Sequence, residues 1–203
     1  LMRSRAEAYS CFAQKAIIGL EITMLTAQEA LIQLQEGNQR FVEGKSTRNT
    51  NYTQRRNELV DGQTPFAIIL GCSDSRVPTE IVFDQGLGDL FVIRIAGNIV
   101  APSQIGSIEF AVETFQTPLV VVLGHTHCGA VAATLNQIRQ PQASRSQHLR
   151  SIVECIRPAV EPLSEIRTNL AYERLLERAI RSNVRMSVNQ LQSGSSFLEE
   201  MYD

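Results

Sequence analysis

Three short apolar runs, each closed by a glycine, constrain the fold of this chain more than any other feature. They occupy residues 66–70, 90–96 and 119–123. Runs of this length that are rich in Val and Ile are typical of strands buried on both faces of a sheet. Apolar residues at helical spacing fill residues 103–116, between the second and third runs. Strands that alternate with helices in this way predict a parallel sheet with right-handed crossovers.

Helical signals lie on both sides of these runs. Thr26 and Glu29 form a capping-box pattern, and apolar residues at helical spacing continue from there to about Val42. The remaining segments are a loop or short helix at residues 55–60, a helix at 130–138 and a helical region at 148–192. Because proline lacks the N–H that a helix interior needs, we expect the last region to break near Pro158 and Pro162.

These elements predict an α/β fold. It consists of a central, mostly parallel sheet flanked by helices, with an N-terminal helical arm and an active site at the carboxyl ends of the strands. Residues 1–25 are interpreted as an N-terminal extension or helix, and residues 26–203 as a single domain.

Charge and composition exclude several classes of protein. The 203 residues include 19 Lys and Arg against 21 Asp and Glu, so there is no basic excess of the kind that binds nucleic acid. No run approaches the roughly 18 apolar residues of a membrane span. Four cysteines are too few for a disulfide scaffold, and unpaired cysteines are typical of the cytoplasm. We therefore expect a cytoplasmic protein with neither nucleic acid nor a membrane as partner.

Cysteine and histidine follow the first and third runs directly. Cys72 comes after the first run, and His125 and Cys128 come after the third. Ligands bind at the carboxyl ends of strands in open α/β sheets, so these side chains converge there if the first strand is central. Two thiolates and one imidazole match the ligand set of some catalytic zinc sites that keep a fourth position open. The alternative is that each cysteine is a small core residue.

The other cysteines and histidines lack such a context. Cys11 stands alone, and Cys155 falls among apolar residues of a helical segment, which suggests a core position. His127 is interpreted as a polar residue at the rim of the site rather than a fourth ligand. His148 is expected to be exposed at the start of a helix.

Asp74 and Arg76 follow Cys72 in the same loop and can form an ion pair. Such a pair could simply stabilise the loop. Beside a metal it has a further use, because Arg76 would keep Asp74 ionised and oriented. Zinc lowers the pKa of a bound water toward about 7, and an ionised Asp74 could orient the resulting hydroxide. If Asp74 moved onto the zinc instead, it would fill the fourth position.

The two motifs together resemble the β-class carbonic anhydrases. They read Cys72-Ser-Asp-Ser-Arg-Val-Pro78 and Gly124-His-Thr-His-Cys-Gly-Ala130. The resemblance implies a lyase that interconverts carbon dioxide and bicarbonate through a hydroxide on one Zn²⁺ per chain.

The same resemblance implies a role for each site residue. The metal ligands would be Cys72, His125 and Cys128. Asp74 would be either the fourth ligand or the partner of the hydroxide, with Arg76 as its clamp. For substrate binding, the resemblance implies Gln85 and the backbone N–H of Gly129.

The resemblance also implies a homodimer or a higher homo-oligomer. Members of the family usually continue into a further strand that packs in the dimer, and this chain ends at Asp203 before it.

Two alternative functions use the same site. One is hydrolysis of a related heterocumulene such as carbon disulfide, and the other is a non-catalytic scaffold stabilised by zinc. The Asp74–Arg76 pair argues against the scaffold, because a structural zinc needs no oriented carboxylate.

Overall fold

A computed structural model describes residues 25–47, 51–141, 146–165 and 171–200 of the chain. The strands are β1 (Ala67–Gly71), β2 (Leu90–Arg94) and β3 (Val120–Leu123). The helices are α1 (Ala27–Val42), α2 (Tyr52–Glu58), α3 (Thr79–Val82), α4 (Pro102–Phe115), α5 (Gly129–Arg139), α6 (Gln147–Glu165), α7 (Tyr172–Ser193) and α8 (Ser196–Glu200). A 3₁₀ turn covers Ala96–Asn98. Residues 1–24, with Cys11, lie outside the described residues, so the predicted extension is not described.

The three strands form one parallel sheet in the order β2-β1-β3. The first strand is therefore central, as the convergence of the two loops requires. Gly71 at the end of β1 lies in register with Arg94 of β2 and Leu123 of β3. The predicted α/β class with a parallel sheet flanked by helices is confirmed.

Strand β1 is buried along its whole length, and its side chains alternate between two layers of helices. Ile69 packs with Leu31 and Leu34 of α1. Ile68, on the opposite face, packs with residues of α4 such as Ile108. The central strand therefore reads as a continuous apolar run because helices cover both faces of the sheet.

Helix α1 begins where the sequence predicts. The Thr26 side chain accepts a hydrogen bond from the Glu29 amide, and the Glu29 carboxylate accepts one from the Thr26 amide at 2.8 Å. This capping box satisfies two amide groups that the first helical turn leaves without partners.

The predicted break in the helical region near Pro158 and Pro162 is wrong. Helix α6 continues through both prolines to Glu165. Each interior proline removes a backbone hydrogen bond at a cost of about 3 kcal/mol or more. Ile156 and Val160, both fully buried in the core next to α5, show that packing of the apolar face outweighs this loss.

Helices α3 and α8 and the 3₁₀ turn are not predicted from the sequence. They span three to five residues each, which is too short for a helical period to appear. The predicted second strand also ends early, at Arg94, because the 3₁₀ turn takes its last residue, Ala96. Within the described part of the chain, no helix combines the length and apolar character needed to span a membrane.

Gly37 lets helix α1 approach the segment after α3. A Cβ atom built on Gly37 would lie 1.8 Å from the backbone oxygen of Phe83. We expect Gly37→Ala to lower the free energy of unfolding by about 1–3 kcal/mol, because backbone must move to admit the methyl group. Denaturant titration would measure this loss.

Gly106 provides the matched control. It also lies inside a helix, α4, but a Cβ atom built there meets nothing within 4 Å. Gly106→Ala should therefore stabilise the protein slightly, by about 0.5–1 kcal/mol, since alanine favours a helix over glycine. Equal effects of the two substitutions would contradict the close approach of α1.

Candidate metal centre

Two loops at one edge of the sheet bring Cys72, His125 and Cys128 together. Cys72 follows β1 directly, and the other two residues lie in the loop after β3. The two sulfur atoms and an imidazole nitrogen all lie within 4.8 Å of one another, and all three side chains are buried. The convergence predicted from the parallel strands is therefore present.

The imidazole of His125 is oriented for a ligand at its Nε2 atom. Its Nδ1 lies 2.9 Å from the Thr126 carbonyl oxygen, to which it can only donate a hydrogen. In the neutral imidazole Nε2 then carries the lone pair, and none of the described residues forms a hydrogen bond with this buried atom. A buried polar atom without a partner is costly, and a bound metal ion would satisfy it.

The two thiols have opposite pKa shifts because they face each other. A hydrogen bond with Cys128 is the main cause of a lowered pKa of the Cys72 thiol. Burial raises this pKa and a hydrogen bond with His125 lowers it, and the net effect is a lowered pKa. The negative sulfur of Cys72, together with burial, raises the pKa of Cys128. The same sulfur raises the pKa of His125. One thiolate thus attracts the remaining protons, and a divalent cation would replace them.

Cys128 also lies at the N-cap of helix α5. The positive end of a helix dipole favours a thiolate there. Gly129, whose amide the resemblance implies in substrate binding, is the first residue of α5 and is exposed. Gly129 therefore lies next to Cys128, and its role in substrate binding stays a prediction.

Asp74 and Arg76 form a two-pronged ion pair beside the cluster. Nε and Nη2 of Arg76 each donate to a different oxygen of Asp74 at 2.8 Å. The Arg76 amide adds a third hydrogen bond at 3.0 Å. These bonds hold the pKa of the Asp74 carboxyl well below its usual range. Asp74 Oδ2 lies 3.9 Å from His125 Nε2, so an ionised carboxylate borders the cluster.

The guanidinium of Arg76 also joins the two loops. Its Nη2 donates to the carbonyl oxygen of His127 at 3.2 Å. The His127 side chain is 67% exposed and lies 3.7 Å from Glu173, which agrees with a rim position. Arg76 therefore fixes both the Asp74 carboxylate and the loop that holds Cys128.

Arg94 also holds the loop after β1 and is not among the site residues predicted from the sequence. Its Nε donates to the Cys72 carbonyl at 3.0 Å and its Nη2 to the Asp74 carbonyl at 2.6 Å. The signal was available, because Arg94 is the one charged residue in the apolar run at 90–96. The register of β2 against Gly71 places it beside the loop.

Gln85 forms its hydrogen bonds with residues outside the Cys–His–Cys cluster. Its amide nitrogen donates to the Phe83 carbonyl at 2.8 Å, and its oxygen accepts from Gln33 at 3.4 Å. Neither partner belongs to the Cys–His–Cys cluster, and the substrate-binding role of Gln85 stays a prediction.

Cys155 is half-buried against the core around Ile156, close to the expected core position.

A buried Cys–His–Cys cluster at the carboxyl edge of a parallel sheet makes this an α/β protein with a candidate metal site. The carbonic anhydrase family model matches residues 67–203. The chain therefore belongs to the carbonic anhydrase family, in its β class.

Curated relatives and solved structures agree with this assignment. Carbonic anhydrase from Mycolicibacterium smegmatis is 46% identical over 127 residues, and carbonic anhydrase 2 from Mycobacterium tuberculosis is 47% identical over the same length. These alignments cover 63% of this chain and 61% of each relative. The β-carbonic anhydrase CafA of Aspergillus fumigatus superposes with a TM-score of 0.64 at 27% identity, covering 84% of this chain and 79% of that one.

We expect Cys72→Ser to lose the metal. Among the described residues the cluster offers three ligand atoms close together, and a hydroxyl is a poor substitute for a thiolate on zinc. Protein produced with zinc present should contain about one zinc per chain in the parent and far less in the variant, as measured by elemental analysis.

Cys155→Ser is the matched control for this measurement. It replaces another free cysteine, one that packs against the core rather than in the cluster. This variant should retain the parent's zinc content. Full zinc content in Cys72→Ser, or none in the parent protein, would contradict the metal centre.

Proposed function

We propose that this chain binds one zinc ion and catalyses the reversible hydration of carbon dioxide to bicarbonate and a proton. The observation that carries the proposal is the buried Cys–His–Cys cluster with a clamped, ionised Asp74 at its border, in a member of the carbonic anhydrase family. The chain spans about three fifths of the length of the two mycobacterial relatives, and its activity is therefore a proposal.

The residues of the cluster fit zinc. Cys72, His125 and Cys128 would hold the ion, and Nε2 of His125, which has no hydrogen-bond partner among the described residues, would donate its lone pair to it. Three protein ligands are typical of catalytic zinc sites, whereas structural sites are closed by four. When bound there, zinc would act as a Lewis acid that lowers the pKa of a coordinated water to near 7.

Asp74 orients the reacting water in this proposal. Its carboxylate is ionised at neutral pH, and Arg76 holds the pKa of the Asp74 carboxyl further below its usual range. Oδ2 is the oxygen nearest the cluster, and it can accept a hydrogen bond from a water there. That hydrogen bond directs the lone pair of the water oxygen toward the carbon of carbon dioxide.

Arg76 positions Asp74 and keeps it away from the cluster. The guanidinium carries its charge at any working pH, and both Asp74 oxygens are bound to it. Without Arg76 the carboxylate would be free to turn toward the metal and occupy the reactive position. The alternative of a zinc-stabilised scaffold does not account for this clamp.

We expect Arg76→Ala to reduce carbon dioxide hydration by at least about 100-fold, the scale of a lost acid–base partner. Asp74→Asn should lose most activity and keep its zinc, since the amide is a weaker acceptor. Stopped-flow measurement with a pH indicator, at matched zinc content, gives both rates. A chelator should abolish the activity of the parent, and added zinc should restore it.

Arg157→Ala is the matched control. Arg157 makes the same two-pronged contact with Glu154, at 3.1 and 3.0 Å, on helix α6. Its loss should leave hydration unchanged. Near-normal turnover in both Arg76→Ala and Asp74→Asn would overturn the mechanism, and a zinc-loaded parent without hydratase activity would overturn the function.

We also propose that the chain forms a homodimer or a higher homo-oligomer. Helix α1 leaves large apolar side chains exposed, including Ile32 and Val42, at 43% and 59%. A helix of this length gains most of its stability from packing its apolar residues on a neighbour. Sedimentation at micromolar concentration should show at least a dimer, and a monomer under those conditions would contradict this assembly.

A further inference from the structure

The 3₁₀ turn Ala96–Asn98 has an unusual backbone. Gly97 and Asn98 are consecutive residues in the left-handed region, with φ values of 71° and 44°. That conformation is uncommon for a residue other than glycine and needs support from its surroundings. Both residues are buried, so the support comes from the protein rather than from solvent.

The turn places the backbone amide of Gly97 within hydrogen-bond distance of Cys72, one of the proposed metal ligands. The Gly97 N–H donates a hydrogen bond to the Cys72 sulfur at 3.3 Å. The backbone at Gly97 is closely enclosed, because a Cβ atom there would lie 2.6 Å from Ile156 and 3.1 Å from Ala130. The backbone that carries this amide therefore has little room to move.

Helix α7 supplies two buried side chains that hold the turn. Asn183 Nδ2 donates to the Gly97 carbonyl at 2.7 Å, and Ser187 Oγ donates to the Asn98 carbonyl at 2.9 Å. Asn183 and Ser187 are each 2% exposed and lie one helical turn apart on the same face of α7. Buried polar groups need partners, and these two bind successive carbonyls of one turn.

We propose that Asn183 and Ser187 are positioning residues for the metal ligand Cys72. They fix the peptide groups of the turn so that the Gly97 N–H stays on the Cys72 sulfur. A hydrogen bond to a ligating thiolate orients its lone pairs and withdraws charge from it, as partners of metal ligands commonly do. The inference rests on the metal site of the proposed function and is independent of which reaction that site catalyses.

Cobalt(II) is the probe that distinguishes positioning from general stability. Its charge-transfer absorption with thiolates reports the charge on the sulfur, which a loss of fold stability alone does not change. Displacing the Gly97 N–H from the sulfur should raise the energy of the sulfur lone pairs and shift this band to longer wavelength. Competition with a chromophoric chelator measures cobalt affinity in the same samples.

Ser187→Ala and Asn183→Ala are the test variants, and Ser182→Ala is the matched control. Ser182 lies on the same helix and donates to a backbone carbonyl at 2.7 Å, but its partner is Ala159 of α6 rather than the turn. We expect about tenfold weaker cobalt binding and a shifted band for Asn183→Ala, with a smaller change in the same direction for Ser187→Ala. Ser182→Ala should match the parent in both measurements.

The outcomes separate this inference from the proposed function. Parent-like spectra and affinities in folded Ser187→Ala and Asn183→Ala would overturn the inference, as would the same shift in Ser182→Ala. If Asn183→Ala does not fold, Ser187→Ala decides alone, since it removes a single oxygen atom. A parent that binds cobalt without hydrating carbon dioxide would overturn the function and leave this inference standing. A parent that binds no cobalt would overturn both.

Discussion

Parallel pairing of β1 with both of its neighbours is the constraint on which the rest of the structure depends. Gly71, the last residue of β1, lies in register with Arg94 on one side and Leu123 on the other. Because the strands run in the same direction, all three following segments leave from one edge of the sheet. A shift of one residue would turn each side chain to the opposite face and separate Cys72 from its partners.

Arginine side chains then hold this edge in place. Arg76 binds a carboxylate, and Arg94 binds the backbone carbonyls of Cys72 and Asp74. The planar guanidinium suits both tasks, because its five donors lie in a rigid fork that can reach two acceptors at once. The result is an ionised Asp74 at the border of a cluster that contains the Cys72 thiolate, and these two negative groups would repel one another without nearby positive charge or a bound cation.

Two helices also support the cluster, one that follows Cys128 directly and one that is distant in the chain. Helix α5 presents its N-terminus to Cys128, and helix α7 binds the turn whose amide contacts Cys72. Asn183 lies 86 residues from its partner Gly97. The cluster is therefore in contact with the α-helical layer as well as with the sheet.

The sequence by itself determined the parallel sheet, the capped helix α1 and the two loops that carry cysteine, histidine, Asp74 and Arg76. These features depend on local patterns. The patterns are apolar runs closed by glycine, a capping box, and metal-ligating or charged residues directly after strands. Only the tertiary structure decided that α6 passes through its prolines, that Arg94 holds the first loop, and that Asn183 and Ser187 reach the turn. The physical reason is that each of these rests on packing or hydrogen bonding between segments far apart in the chain, and no local period records such partners.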